Sequence, residues 1–104
     1  NGQNFVFHGY LPKDKTERVK KLREIEKDSF HKKQTQLFIE TPYRNQYVLE
    51  DILASCEANT LCCIACDITL PDEYIRTKSI KEWKKQTLPA INKRPCVFLL
   101  QKSF

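Results

Sequence analysis

The chain has 104 residues, 40% hydrophobic and 30% charged, with 18 Lys and Arg against 13 Asp and Glu for a formal net charge of +5. A chain of this length buries roughly 65% of its unfolded surface, enough for one core and too little for two. Its two glycines are Gly2 and Gly9, both near the start, so no glycine-rich phosphate loop can be built and a self-contained nucleotide-binding enzyme is not expected.

In chain order, Phe5 to Tyr10 is a short aromatic run with strand character, closed by Leu11 and Pro12. Asp14 and Glu17 stand at capping-box spacing and start a helix, in which Val19, Leu22, Ile25 and Phe30 form one apolar stripe among Lys, Arg and Glu. That helix is predicted to end near Asp28 to His31. Gln36 to Glu40 is the second predicted strand. Thr41 and Pro42 then supply an N-cap and a first helical residue. The second helix carries Leu49, Ile52, Leu53 and Cys56 at amphipathic spacing. Thr60 to Cys66 is almost wholly apolar and reads as a strand buried on both faces. Glu73 to Lys78 is a weaker strand. Ser79 and Glu82 form another capping box ahead of a short helix carrying Trp83, and Pro95 to Gln101 is a final buried strand. The predicted architecture is a single α/β domain, about five strands in a mixed sheet with three helices, in the order β-α-β-α-β-β-α-β.

No apolar stretch approaches the roughly 20 residues that span a bilayer, so no membrane partner is expected. The first ten residues lack the regions of an export signal. With no methionine, the chain reads as an excised piece of a longer protein. Five cysteines, an odd number with Cys62 and Cys63 adjacent, predict reduced thiols and a reducing, cytoplasmic setting. The basic residues are partly bundled, as Lys20, Lys21 and Arg23, then Lys32 and Lys33, then Lys81, Lys84, Lys85, Lys93 and Arg94. The plain reading is a solvated helix face, and contact with a polyanion is the functional one.

Few constellations point to chemistry. Cys63 and Cys66 form a C-x-x-C inside an apolar strand, where residues three apart face opposite ways, so no metal site or redox pair is predicted there. His8 precedes Gly9 in the aromatic run. It reads either as a ligand contact at an edge or, more plainly, as an outward residue between two inward phenylalanines. Glu40, Thr41, Pro42 and Arg44 are the densest polar group at a strand-to-helix junction, where α/β folds bind ligands at the carboxyl ends of strands. Free N–H groups and the Arg44 fork suit a carboxylate or phosphate there, unless Arg44 simply pairs with Glu40. Asp67 and Thr69 make a similar polar exit from the apolar strand, and the two junctions are expected on one side of a cleft.

Three ordered segments carry a resemblance. Phe7, His8, Gly9, Tyr10, Leu11 and Pro12 match a Phe-x-Gly-Phe-Leu-Pro pattern. Ile39, Glu40, Thr41, Pro42, Tyr43 and Arg44 match Tyr-Glu-Ser-Pro-His-Arg, and Ala65, Cys66, Asp67, Ile68, Thr69 and Leu70 match Ala-Arg-Glu-Leu-Thr-Lys. Together they are similar to the carboxyl-terminal half of the tetrapyrrole-methylase superfamily of S-adenosylmethionine-dependent methyltransferases, nearest the branch that methylates the ribose 2′-OH of 16S rRNA. Tyr43, Cys66 and Leu70 depart from that branch's His, Arg and Lys. The resemblance implies the second of two domains, unlikely to be active alone. An amino-terminal domain would hold the glycine-rich cofactor loop, and the full-length protein would be a homodimer. It implies S-adenosylmethionine as cofactor, with Glu40, Thr41, Pro42, Asp67 and Thr69 in its pocket and His8, Gly9 and Arg44 in the substrate cleft. It assigns no catalytic residue and no metal. rRNA is the implied acceptor. A tetrapyrrole or other small acceptor, and a non-catalytic RNA-binding or dimerisation module, remain the alternatives.

Overall fold

A computed structural model of the chain describes residues 4–102. The elements follow the predicted order: β1 (Phe5–Tyr10), α1 (Lys15–Lys32), β2 (Thr35–Ile39), α2 (Asn45–Ser55), β3 (Leu61–Cys66), β4 (Tyr74–Ser79), α3 (Ile80–Lys84) and β5 (Cys96–Gln101). Local chemistry sets most boundaries. The Asp14 carboxylate accepts the Glu17 N–H at 3.0 Å and starts α1. The helix runs past its predicted end to Lys32, and left-handed Lys33 closes it by donating to the Ser29 carbonyl. At α3 the capping box is complete: the Glu82 N–H donates to Ser79 Oγ at 3.1 Å, and the Ser79 N–H donates to Glu82 Oε1 at 3.0 Å. Those bonds to Ser79 hold the Glu82 carboxyl below its ordinary pKa.

One expected cap is corrected. Pro42–Arg44 form a 3-10 turn before α2, and the Thr41 side chain makes no capping bond. The Thr41 N–H is instead taken by the preceding Glu40 carboxylate, so the chain leaves β2 through a tight turn and enters α2 only at Asn45.

The strands form one mixed sheet in the order β1-β2-β5-β3-β4. β1 and β2 are parallel, and β5 lies antiparallel between β2 and β3, with β4 antiparallel on the outer edge of β3. One face carries the core. Phe38 and Phe98 stack there at 5.6 Å, Cys62, Ile64 and Leu100 are fully buried, and Leu22, Ile25, Leu49, Ile52, Ile80 and Trp83 cover them from the helices. The Trp83 indole N–H donates to the Cys62 carbonyl at 2.8 Å, so this bulky side chain is buried without an unpaired donor.

Among the described residues no helix covers the other face. Phe5 and Phe7 of β1 are 60% and 59% exposed, which reverses the expectation that they point inward around an outward His8. β2 presents Thr35, Leu37 and Ile39, and β5 presents Val97, Leu99 and Gln101, all half-buried. β3 presents Leu61, Cys63 and Ala65 opposite Ser79, Thr77 and Ile75 of β4. The expectation that the third strand is buried on both faces is therefore corrected: Leu61 is exposed and Cys63 half-buried, because the helices cover one side only. Cys63 and Cys66 do face opposite ways.

The cysteines need a second correction. Register places Cys66 of β3 directly opposite Cys96 of β5, Cα to Cα 4.2 Å, and the two form a disulfide across 30 residues. Neighbouring thiols in sequence argued for reduced cysteines, but the partner comes from a strand that pairs only in the folded sheet. Cys56, Cys62 and Cys63 are free.

Candidate functional site

β1, β2 and β3 run one way and β4 and β5 the other, so the ends of the first three strands meet the starts of the last two at one end of the sheet. An open groove of about 530 Å³ lies there. Tyr10, Ile39, Ile68, Leu70 and Val97 supply apolar walls, Glu40 and Asp67 are its charged members, and Pro42, Pro95 and Cys96 complete it. No lysine or arginine lines it. Tyr10, Ile68 and Leu70 are 64%, 47% and 54% exposed, an uncommon density of open apolar side chains around one depression.

Glu40 is the most unusual group. It is 6% exposed, its Oε1 accepts the Thr41 N–H at 2.8 Å, and its Oε2 is buried with no hydrogen-bond partner. A buried oxygen left in that state costs about 1–3 kcal/mol, more if charged.

The opposite lip is built by Asp67 and Arg94. Arg94 Nε donates to Asp67 Oδ2 at 2.6 Å, its second amino group donates to the Asp72 carbonyl at 2.7 Å, and the Asp67 N–H donates to the Pro95 carbonyl at 3.0 Å. Backbone strain collects here. Asp67, Thr69 and Lys93 have φ of 51°, 69° and 67°. For β-branched Thr69 a left-handed conformation is a true outlier, held because its N–H is bound by Glu73 at 2.8 Å. Asn45 and Gln46 anchor the facing loop: the Asn45 amide donates to the carbonyls of Ile91 and Arg94, and Gln46 Nε2 donates to the Pro89 carbonyl at 3.2 Å. The Lys93 N–H reaches the Pro42 carbonyl at 2.9 Å, tying that loop to the exit of β2.

The predicted site residues therefore separate. Glu40, Pro42 and Asp67 line one groove, Thr41 stands beside Glu40, and Thr69 shapes the turn that carries Ile68 and Leu70. Arg44 ends the 3-10 turn outside the groove lining and makes no ion pair with Glu40 among the described residues. His8 is not at the entrance. Its Nε2 is hydrogen-bonded to Oε1 of buried Gln36, on the helix-covered side of β1. Gly9, at φ 72°, sits where the β1 register shifts, and the shift carries Tyr10 to the groove in place of His8. Tyr10, Arg94 and Asn45 were missed as site residues. The adjacent amides Asn45 and Gln46 after Pro42 were the one available signal for the loop anchor.

The free thiols do not supply a nucleophile from the core. Burial, reinforced by the Glu26 carboxylate, pushes the Cys56 thiol up to about 12, and burial pushes Cys62 higher still. Among the described residues no group of three or more His, Cys, Asp or Glu gathers to hold a metal ion, and no helix is long and apolar enough to cross a membrane.

No family model and no curated protein matches the chain. Among solved structures, one described as the crystal structure of the methyltransferase CobJ aligns with a TM-score of 0.57 at 19% identity, over 95% of this chain and 41% of that one. The likeness is one of fold alone, and the chain spans well under half of the protein it matches.

Proposed function

We propose that this chain is the carboxyl-terminal domain of an S-adenosylmethionine-dependent methyltransferase and forms one wall of its cleft. The facing wall, with the glycine-rich cofactor loop, belongs to an amino-terminal domain. The acceptor is a small molecule with a flat apolar body, of the tetrapyrrole class, and not the ribose of 16S rRNA. One observation carries this reading. The groove at the strand exits joins apolar walls to a buried carboxylate oxygen without a donor, in a fold shared with the methyltransferase CobJ. No basic side chain is in its lining, and Arg94 at the lip is engaged by Asp67 and the Asp72 carbonyl, which argues against a phosphate backbone there. Lys20, Lys21, Lys81 and Lys84 lie on α1 and α3, and Lys93 stands in the loop tied to Pro42.

The residues present fit the cofactor. Glu40 Oε2 accepts an amino or hydroxyl donor, and Tyr10, Ile39 and Val97 offer apolar surface to a ring. When bound, S-adenosylmethionine supplies a methyl group already made electrophilic by its sulfonium, so the protein's task is in-line alignment of the acceptor. Ile68 and Leu70 exclude water from that approach, and the Asp67–Arg94 pair with the anchored loop keeps the lip in place.

Titration calorimetry tests this on the protein carrying both domains. S-adenosylmethionine is expected to bind, and Glu40→Gln to weaken binding about 10-fold or more with unchanged thermal unfolding, the loss of one charge-assisted hydrogen bond. A porphyrinoid is expected to bind with little salt dependence. Methyl transfer to 16S rRNA that falls steeply with salt would replace the small acceptor with RNA. A folded protein that binds no cofactor would overturn the enzymatic reading.

A further inference from the structure

The groove has a covalent rung in its wall. Cys66 ends β3 and Cys96 begins β5, paired at the last position of that register, and their disulfide closes the segment between them into one ring. Each cysteine leads directly into the lip: Asp67 follows Cys66, and Arg94 and Pro95 precede Cys96. The Asp67 N–H donates to the Pro95 carbonyl at 3.0 Å and Arg94 Nε donates to Asp67 Oδ2 at 2.6 Å, so the disulfide and two polar bonds tie the same two arms together. Both arms carry left-handed backbone, at Asp67 and Thr69 on one and at Lys93 on the other. Such conformations persist only while the surrounding structure over-determines them. The two sulfur-bearing residues are unequally placed. Cys96 is 5% exposed and lines the groove, whereas Cys66 is fully buried and is absent from the lining.

From this we infer that Cys96 is a thiol–disulfide exchange site reached through the groove, and that its reduction by a small dithiol unlatches the lip. A thiolate of the dithiol attacks Cys96 Sγ, the S–S bond breaks, and its electron pair leaves on Cys66 Sγ, which takes a proton. The second thiol of the reductant then attacks the mixed disulfide, so that Cys96 leaves as a thiol and the reductant departs as its cyclic disulfide. Two electrons and two protons pass to the protein, and an oxidised dithiol reverses both steps. The placement of the other thiols confines exchange to this pair. Cys62, on the same strand face as Cys66, stands four residues away, roughly 13 Å at the rise of a strand and beyond the reach of a disulfide. Cys63 faces the opposite side of the sheet, and Cys56 is buried at the end of α2. With the rung open, hydrogen bonds alone join the two arms, and the strained turn that carries Ile68 and Leu70 is free to relax away from the groove. This inference does not rest on the methyl-transfer reading.

Residue-resolved amide exchange on the full chain tests the latch. In dithiothreitol without denaturant, Cys66 and Cys96 are expected to become open to alkylation together over minutes to hours, with a cooperative unfolding transition retained. Reduction is expected to speed exchange of the Asp67 and Leu70 amides at least about 10-fold, while the Ile80 amide, bonded to the Thr60 carbonyl beyond the far end of β3, is unchanged. Reoxidation is expected to restore the slow rates. Single variants test the route. Oxidised glutathione is expected to form a mixed disulfide with Cys96 in Cys66→Ala at least about 10-fold faster than with Cys66 in Cys96→Ala. The comparison of oxidised and reduced wild-type protein needs neither variant to fold. Reduction confined to denaturant, equal acceleration at Asp67 and Ile80, or a Cys66 adduct formed as readily as one at Cys96 would each overturn the proposal.

Discussion

Backbone strain at the groove is carried by single residues. Thr69 is the sharpest case. Its left-handed backbone costs about 1–2 kcal/mol for an L-residue, and its hydroxyl makes no hydrogen bond among the described residues that would repay it. Thr69→Gly removes the clash but adds roughly 0.5–1 kcal/mol of unfolded-state entropy. The expected net is a gain of about 0.5–1 kcal/mol, read as a higher urea midpoint at unchanged slope, while Thr69→Val gains nothing. A lower midpoint for the glycine variant would show that the turn is not strained. Of the predicted site residues, Glu40 and Asp67 were legible because acidic groups at strand exits are a positional signal independent of tertiary detail. His8 was not, since its orientation depends on a register shift at Gly9 that adjacent residues do not announce.

Between elements, the contact that invites measurement is the buried ion pair joining α1 to α2. Arg18 Nε donates to Asp51 Oδ2 at 2.6 Å with both side chains buried, and a second Arg18 nitrogen donates to the Lys13 carbonyl at 3.0 Å. Removing one member strands a buried charge. Asp51→Ala is expected to lower stability by about 3–5 kcal/mol, whereas replacing both by Met and Leu is expected to be near neutral. Chemical denaturation of the two variants separates the cost of an orphaned charge from the worth of the pair, and equal losses in both would contradict this account. Helix and strand positions were read well from periodicity and caps, because Asp14, Ser79 and Glu82 act within one turn of themselves. Arg18 and Asp51 carry no such signal. They look like ordinary solvated charges on amphipathic helices until α1 and α2 pack together.

At the scale of the whole molecule, the core makes stability sensitive to alkali. Cys56 and Cys62 have thiol pKa values raised by burial, Cys56 to about 12, so the folded state holds protons that the unfolded chain releases from about pH 9. Fewer protons on the unfolded state means that stability falls as pH rises. Their contribution is fully present below about pH 9 and is lost progressively above it. Cys56→Ala is expected to flatten the decline between about pH 9 and 11 in equilibrium denaturation, and an unchanged slope would show that the thiol ionises equally in both states. The same core leaves the molecule one-sided, with three helices on one face of the sheet and an uncharged face on the other.

The amino-acid sequence alone determined the class of fold, the order of its elements and the two polar strand exits, because these depend on hydrophobic periodicity, capping and turn chemistry acting over a few residues. Tertiary structure decided what those signals cannot reach. Thr60 to Cys66 is apolar throughout, and only the placement of every helix on one side of the sheet makes Cys62 core and leaves Cys63 on the open face. The Cys66–Cys96 disulfide, the Arg94–Asp67 lip and the groove joining Tyr10, Glu40 and Val97 all bring together residues about 27 or more positions apart. Strand pairing assembles them, and pairing is set by the free energy of burying the whole sheet, which no local stretch of the chain contains.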